Sequence, residues 1–96
     1  MALSEIIKLI NSFKDIVKSD YKAEVVGIFG SFVRGGENRA SDIDILVKFD
    51  DEADLFDFVG LSLFLEEKLG RRVDVVPYDT VRTELRDSIL KETVLL

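Results

Sequence analysis

Gly30-Ser31-Phe32-Val33-Arg34-Gly35-Gly36-Glu37-Asn38-Arg39-Ala40-Ser41-Asp42-Ile43-Asp44 is the stretch that decides how this chain folds. An apolar run, Val25-Val26-Gly27-Ile28-Phe29, stops at its first glycine, and an alternating run begins at its two aspartates. It therefore joins two strands through a small-residue turn. A glycine–serine turn can bring backbone N–H groups close to phosphate oxygens. Two carboxylates spaced i, i+2 share one face of a strand, where they can hold divalent cations and, through them, a triphosphate. The signal concerns chemistry as well as fold.

Composition narrows the rest. Ninety-six residues make one domain, residues 1–96, large enough for one hydrophobic core, and 47% of them are apolar. The formal charge of -6 argues against a broad nucleic-acid surface, so no stable direct nucleic-acid binding is expected. A nucleotide is still allowed, because metal ions supply the missing positive charge. Cysteine and histidine are both absent, which removes disulfides, thiolate and imidazole metal sites and the usual general base. Acid–base chemistry must then fall to carboxylates, lysine, tyrosine or metal-bound species. The N-terminus carries no signal-peptide pattern and no apolar run reaches membrane-spanning length, so the cytoplasm is the expected compartment, without membrane attachment. No glutamine, two asparagines and one methionine make a composition poor in thermolabile residues, as in thermophiles.

Outward from the central stretch, Leu3, Ile6, Ile7, Ile10, Phe13 and Val17 recur at helical spacing and predict a first helix ending near Ser19-Asp20. Residues 31–34 predict one helical turn, broken by Gly35-Gly36, and residues 42–49 the second strand. Residues 55–69 predict a long helix whose buried stripe is Leu55, Phe58, Val59, Leu61, Leu65 and Leu69, with Phe56 and Leu63 widening it and Phe64 on the polar side. Gly70 stops it, and Val73-Asp74-Val75-Val76 makes a third strand ended by Pro77. A last helix runs from Val81 to about Glu92, followed by the apolar tail Val94-Leu95-Leu96. The order α-β-(short α)-β-α-β-α predicts an α/β (α+β) fold, a small sheet flanked by helices.

Each candidate site residue has a plain alternative. Asp42 and Asp44 can be two solvated acids at a strand entrance. Carboxylates within about 4 Å repel by roughly 4 kcal/mol at an effective dielectric of 20, so the arrangement gains nothing unless a cation or a shared proton relieves it. Asp74 lies in an apolar strand, where a charge is expensive unless paired or bound to metal. If the third strand lies beside the second, Asp74 becomes a third ligand; the alternative is a salt bridge to Arg71, Arg72 or Arg82. Gly30-Ser31 can be a simple tight turn, with Ser31 capping the short helix. Arg34 can reach the same phosphates or pair with Glu37 at the surface. Ser41 can position the loop ahead of Asp42.

These words taken together, Gly-Ser-Phe-Val-Arg-Gly and Ser-Asp-Ile-Asp-Ile-Leu-Val with the later Asp74, resemble the minimal nucleotidyltransferases of the DNA polymerase β-like superfamily. The resemblance covers essentially the whole chain. It implies a mixed sheet flanked by helices, with the three carboxylates on neighbouring strands. It also implies transfer of a nucleoside monophosphate from a triphosphate to a hydroxyl. Asp42, Asp44 and Asp74 would hold Mg²⁺, two ions, with Mn²⁺ as a substitute. Gly30, Ser31, Arg34 and Ser41 would bind the nucleotide, with ATP as substrate. Many of these small forms are similar to antitoxins encoded beside HEPN-domain ribonuclease toxins, and some adenylylate a tyrosine of the toxin. One departure is the loop Gly35-Gly36-Glu37-Asn38-Arg39-Ala40, where relatives often carry a proline.

Three readings follow: a Mg²⁺-dependent adenylyl transferase acting on a HEPN toxin, a non-catalytic antitoxin that works by occlusion, and a small-molecule nucleotidyltransferase. The intact carboxylate set weighs against the second and the missing acceptor-binding domain against the third. Phe56, Leu63, Phe64 and the tail Val94-Leu95-Leu96 exceed what one face can bury, which suggests a partner surface or a homo-oligomer.

Overall fold

A computed structural model describes residues 2–35 and 42–96. Helix α1 (Leu3–Tyr21) leads into β1 (Ala23–Phe29), the short helix α2 (Ser31–Gly35) and β2 (Ile43–Phe49). Helix α3 (Leu55–Leu69) crosses over to β3 (Val73–Pro77), and a 3-10 turn, α4 (Thr83–Glu92) and β4 (Val94–Leu95) complete the chain. The sheet order is β3-β2-β1-β4, with β2 and β3 parallel and the other pairs antiparallel. The expected mixed sheet flanked by helices is what forms.

Strand alternation divides the chemistry between two faces. Ile43, Ile45 and Val47 of β2, with Val73 and Val75 of β3, join Ile6, Ile10, Val17, Leu61, Leu65 and Leu69 of α1 and α3 in one buried core. The aspartates of the same strands consequently face the other way. Helix α3 is fixed at its start by a reciprocal cap: Asp54 Oδ1 accepts from the Asp57 amide, and Asp57 Oδ2 from the Asp54 amide, both at 3.0 Å. At its end Gly70 is left-handed, with φ 64, as the sequence predicts. Among the described residues no helix is long and apolar enough to cross a membrane.

Three expectations about apolar residues are corrected. Phe64 is not on a polar face: its ring meets Phe13 edge-on at 5.6 Å and Tyr21 at 5.4 Å, so it welds α3 to α1. Leu55 and Val59 are not buried; they lie on the outer side of α3. The tail is surplus only in part: Leu95 stays exposed, but Val94 and Leu95 pair with Ile28 and Gly27 as an edge strand, Leu96 packs against the core, and its amide donates to the Val26 carbonyl at 3.0 Å. That strand fits because Gly27 has no side chain: a Cβ there would collide with the Val94 carbonyl and lie 2.5 Å from the Thr93 methyl.

Candidate functional site

Where β1 ends and β2 and β3 begin, pairing registers bring together residues distant in sequence. Phe29 pairs with Asp44 across the antiparallel ladder, and Asp44 pairs with Asp74 across the parallel one. Neighbouring residues in register share a face, so Asp44 and Asp74 project side by side beyond the Gly30 turn. Their carboxyls stand within hydrogen-bonding reach of each other. Asp42, one residue ahead of β2, shares that face and acts on Asp44 electrostatically.

Asp44 is half-buried, and its pKa is raised above the ordinary 3.8. Loss of hydration is the largest cause, followed by repulsion from Asp74 and then from Asp42; the Arg34 guanidinium opposes all three. A cation delivered to this point relieves the same strain. Gly30 allows the geometry twice over. Its φ is +87, a region L side chains rarely enter, and any Cβ there would run into the Asp44 carboxylate. Its carbonyl accepts from the Val33 amide at 3.1 Å and the Arg34 amide at 3.2 Å, which turns the chain into α2.

Asp74 requires a correction. Its strand is apolar, but alternation leaves its side chain exposed, and among the described residues no charged side chain is buried. Burial therefore gives Asp74 no cost to escape; its carboxylate bears instead on Asp44, whose pKa it helps raise. Of the arginines weighed as partners for it, Arg82 instead holds Glu84 at 2.6 Å. Arg34 reaches Glu92 at the end of α4, Nη1 to Oε2 at 3.2 Å, a pairing that sequence reading missed across 58 residues. Glu37, the partner weighed for Arg34, and Ser41 lie outside the described residues. Ser31 opens α2, directly after Gly30.

The donor set suits a hard divalent cation. Mg²⁺ is held by one or two carboxylates with substrate phosphates filling the remaining positions, and Asp44 with Asp74 offers such a pair. Among the described residues no group of three carboxylates already converges as a ready cage.

Residues 10–96 match the family model described as Nucleotidyltransferase domain. The chain is 34% identical over 94 residues to the protein adenylyltransferase MntA of Thermococcus cleftensis, an alignment covering 98% of this chain and 95% of that protein. It is 48% identical over 67 residues to a candidate protein adenylyltransferase of Methanocaldococcus jannaschii, covering 70% of this chain and 72% of that one. Among solved structures, a candidate minimal nucleotidyltransferase superimposes with a TM-score of 0.85 at 33% identity, over 100% of this chain and 97% of the other. A crystal structure of a toxin–antitoxin with AMP-PNP aligns with a TM-score of 0.66 at 29% identity, over 96% of this chain and 69% of that one.

Proposed function

This chain belongs to the nucleotidyltransferase domain family, and from that premise we propose that it moves AMP from ATP to a hydroxyl of a protein partner, a tyrosine on a HEPN-type toxin. The observation that carries the reading is the Asp44–Asp74 pair, two carboxyls within hydrogen-bonding reach at the mouth of a glycine turn. Relatives described as protein adenylyltransferases, and the toxin–antitoxin with AMP-PNP, support the adenylyl group and the protein acceptor.

In this mechanism the acceptor oxygen forms a bond to the α-phosphorus. The bond from that phosphorus to the bridging oxygen breaks, and pyrophosphate leaves with the electron pair. Asp42 and Asp44 would hold Mg²⁺ there, with Asp74 completing the site, and the ion would supply charge neutralisation to the triphosphate and to the leaving group. Asp74, exposed beside them, accepts the proton from the acceptor hydroxyl; no histidine is present to do so. Gly30, lacking a Cβ, and Ser31 bring backbone close to the β- and γ-phosphates. Arg34, already near enough to act on Asp44, adds a positive charge toward the same phosphates.

Incubating the chain with ATP, Mg²⁺ and the toxin encoded beside it tests this directly. Intact-mass spectrometry should find one or more AMP units added to the toxin, and Asp74→Asn should slow the addition by about a hundredfold or more. A tight, inhibitory complex with no change in the toxin's mass would replace transfer with occlusion.

A further inference from the structure

Arg34 stands between two sets of carboxylates, and the order of the sheet sets their directions. Asp44 and Asp74 lie on β2 and β3, to one side of β1, whereas β4 lies to the other. Glu92 closes α4 just ahead of β4, and α2 follows β1 through the Gly30 turn. Arg34 on α2 is close enough to Asp44 to favour its charged form, while its Nη1 donates to Glu92 Oε2 at 3.2 Å. The guanidinium is thus drawn from both sides of β1.

A helix as short as α2 cannot hold its own shape in water. Contacts from both flanks fix it instead. The Phe32 ring is buried, and the Arg71 guanidinium, just ahead of β3, lies 4.8 Å from its centre. On the β4 side the contact is Arg34 with Glu92, 58 residues away in sequence. Phe32 fixes the backbone of the turn, but the long Arg34 side chain keeps its rotamer freedom unless it has a partner of its own. Without Glu92, the pull that remains comes from the site carboxylates, whose oxygens suit a guanidinium fork. Settled there, Arg34 would occupy the oxygens a divalent cation needs and would leave the phosphate side of the turn without its positive charge. Glu92 pulls the other way. Its contact uses one N–H of several, so the fork can take a phosphate oxygen without letting go.

We propose that Glu92 is a positioning residue of the nucleotide site: it holds Arg34 clear of Asp44 and Asp74 and over the place the β- and γ-phosphates take. This rests on the phosphate-binding role given to Arg34 above, and it adds the end of α4 to the site.

Titration calorimetry of the full chain with Mg²⁺–ATP, arranged as a double-mutant cycle, tests it. Arg34→Gln should weaken binding about tenfold or more. The Arg34 and Glu92 side chains are exposed by 61 and 52%, so their pairing shifts an equilibrium by about fivefold at most. Glu92→Gln should accordingly weaken binding about threefold to fivefold. Glu92→Asp, which keeps the charge, should recover part of that loss. In an Arg34→Gln background Glu92→Gln should change nothing, since no guanidinium is left to place. Amide exchange at Leu96 should stay at wild-type protection, with β4 still seated. A loss in Glu92→Gln that persists in the Arg34→Gln background overturns the inference, because Glu92 would then act through the fold. Tighter binding in Glu92→Gln overturns it too, since Glu92 would be competing with the phosphates. Unchanged binding in Glu92→Gln, with Arg34→Gln still weakened, removes Glu92 alone and leaves the role of Arg34 standing. Unchanged binding in Arg34→Gln itself removes that role and the inference with it.

Discussion

Asp44 carries the residue-scale argument. Its pKa is raised, so between 3.8 and the raised value the folded chain binds more protons than the unfolded one. Stability therefore declines as pH rises through that window and stays lower above it. Asp44→Asn removes the declining component. Screened by solvent, the relief is of order 1 kcal/mol or less, which reads as a melting temperature higher by up to about 5 °C at neutral pH. The same variant should lose Mg²⁺-dependent ATP binding in titration calorimetry; unchanged binding in Asp42→Asn/Asp44→Asn would reject the site. Gly30→Ala should behave oppositely, destabilising by about 1–3 kcal/mol through positive-φ strain and the collision with Asp44. In an Asp44→Ala background the collision term disappears and the φ term stays, so a double-mutant cycle in denaturant separates them. The meeting of Asp44 with the Gly30 turn was legible because strand alternation and glycine chemistry are local. The exposure of Asp74 was not, since an apolar strand reads alike whether one face or both are covered.

Among the elements, α3 and β4 define how far sequence reaches. Helix α3 offers two apolar stripes, Leu61-Leu65-Leu69 and Leu55-Val59-Leu63, and periodicity alone does not say which turns inward. The choice is made by tertiary partners: Phe64 against Phe13 and Tyr21, and Leu61, Leu65 and Leu69 against the strands. Strand β4 has two residues, too few for any alternation to register. Its place depends instead on the gap left by Gly27. Gly27→Val should push it off the sheet, and amide exchange at Leu96, whose N–H bonds the Val26 carbonyl, should accelerate markedly while core amides of β2 stay protected. Protection at Leu96 equal to the wild type would show that β4 is held without that gap.

For the whole molecule, the mixed fold was legible because long, strongly patterned segments dominate it, whereas the Arg34–Glu92 pair was not, having no local signature. The composition poor in Gln, Asn and Met predicts a melting temperature above the mesophile range of about 45–65 °C; calorimetric melting inside that range would refute it. One division made by the sheet has a spatial consequence. The carboxylates lie on one face, and the outer side of α3, with exposed Leu55 and Val59, lies beyond the core on the other. A partner that docked on that outer side would have to carry its hydroxyl around the body on a separate arm. The shortest dimension of the molecule is 20 Å, so even an extended arm needs at least about six residues. Beyond that length, reactivity is governed by tether statistics: the local concentration of the hydroxyl peaks when the arm matches the path and falls as it lengthens. An acceptor set at the wrong distance from its docking surface would be held tightly and modified slowly.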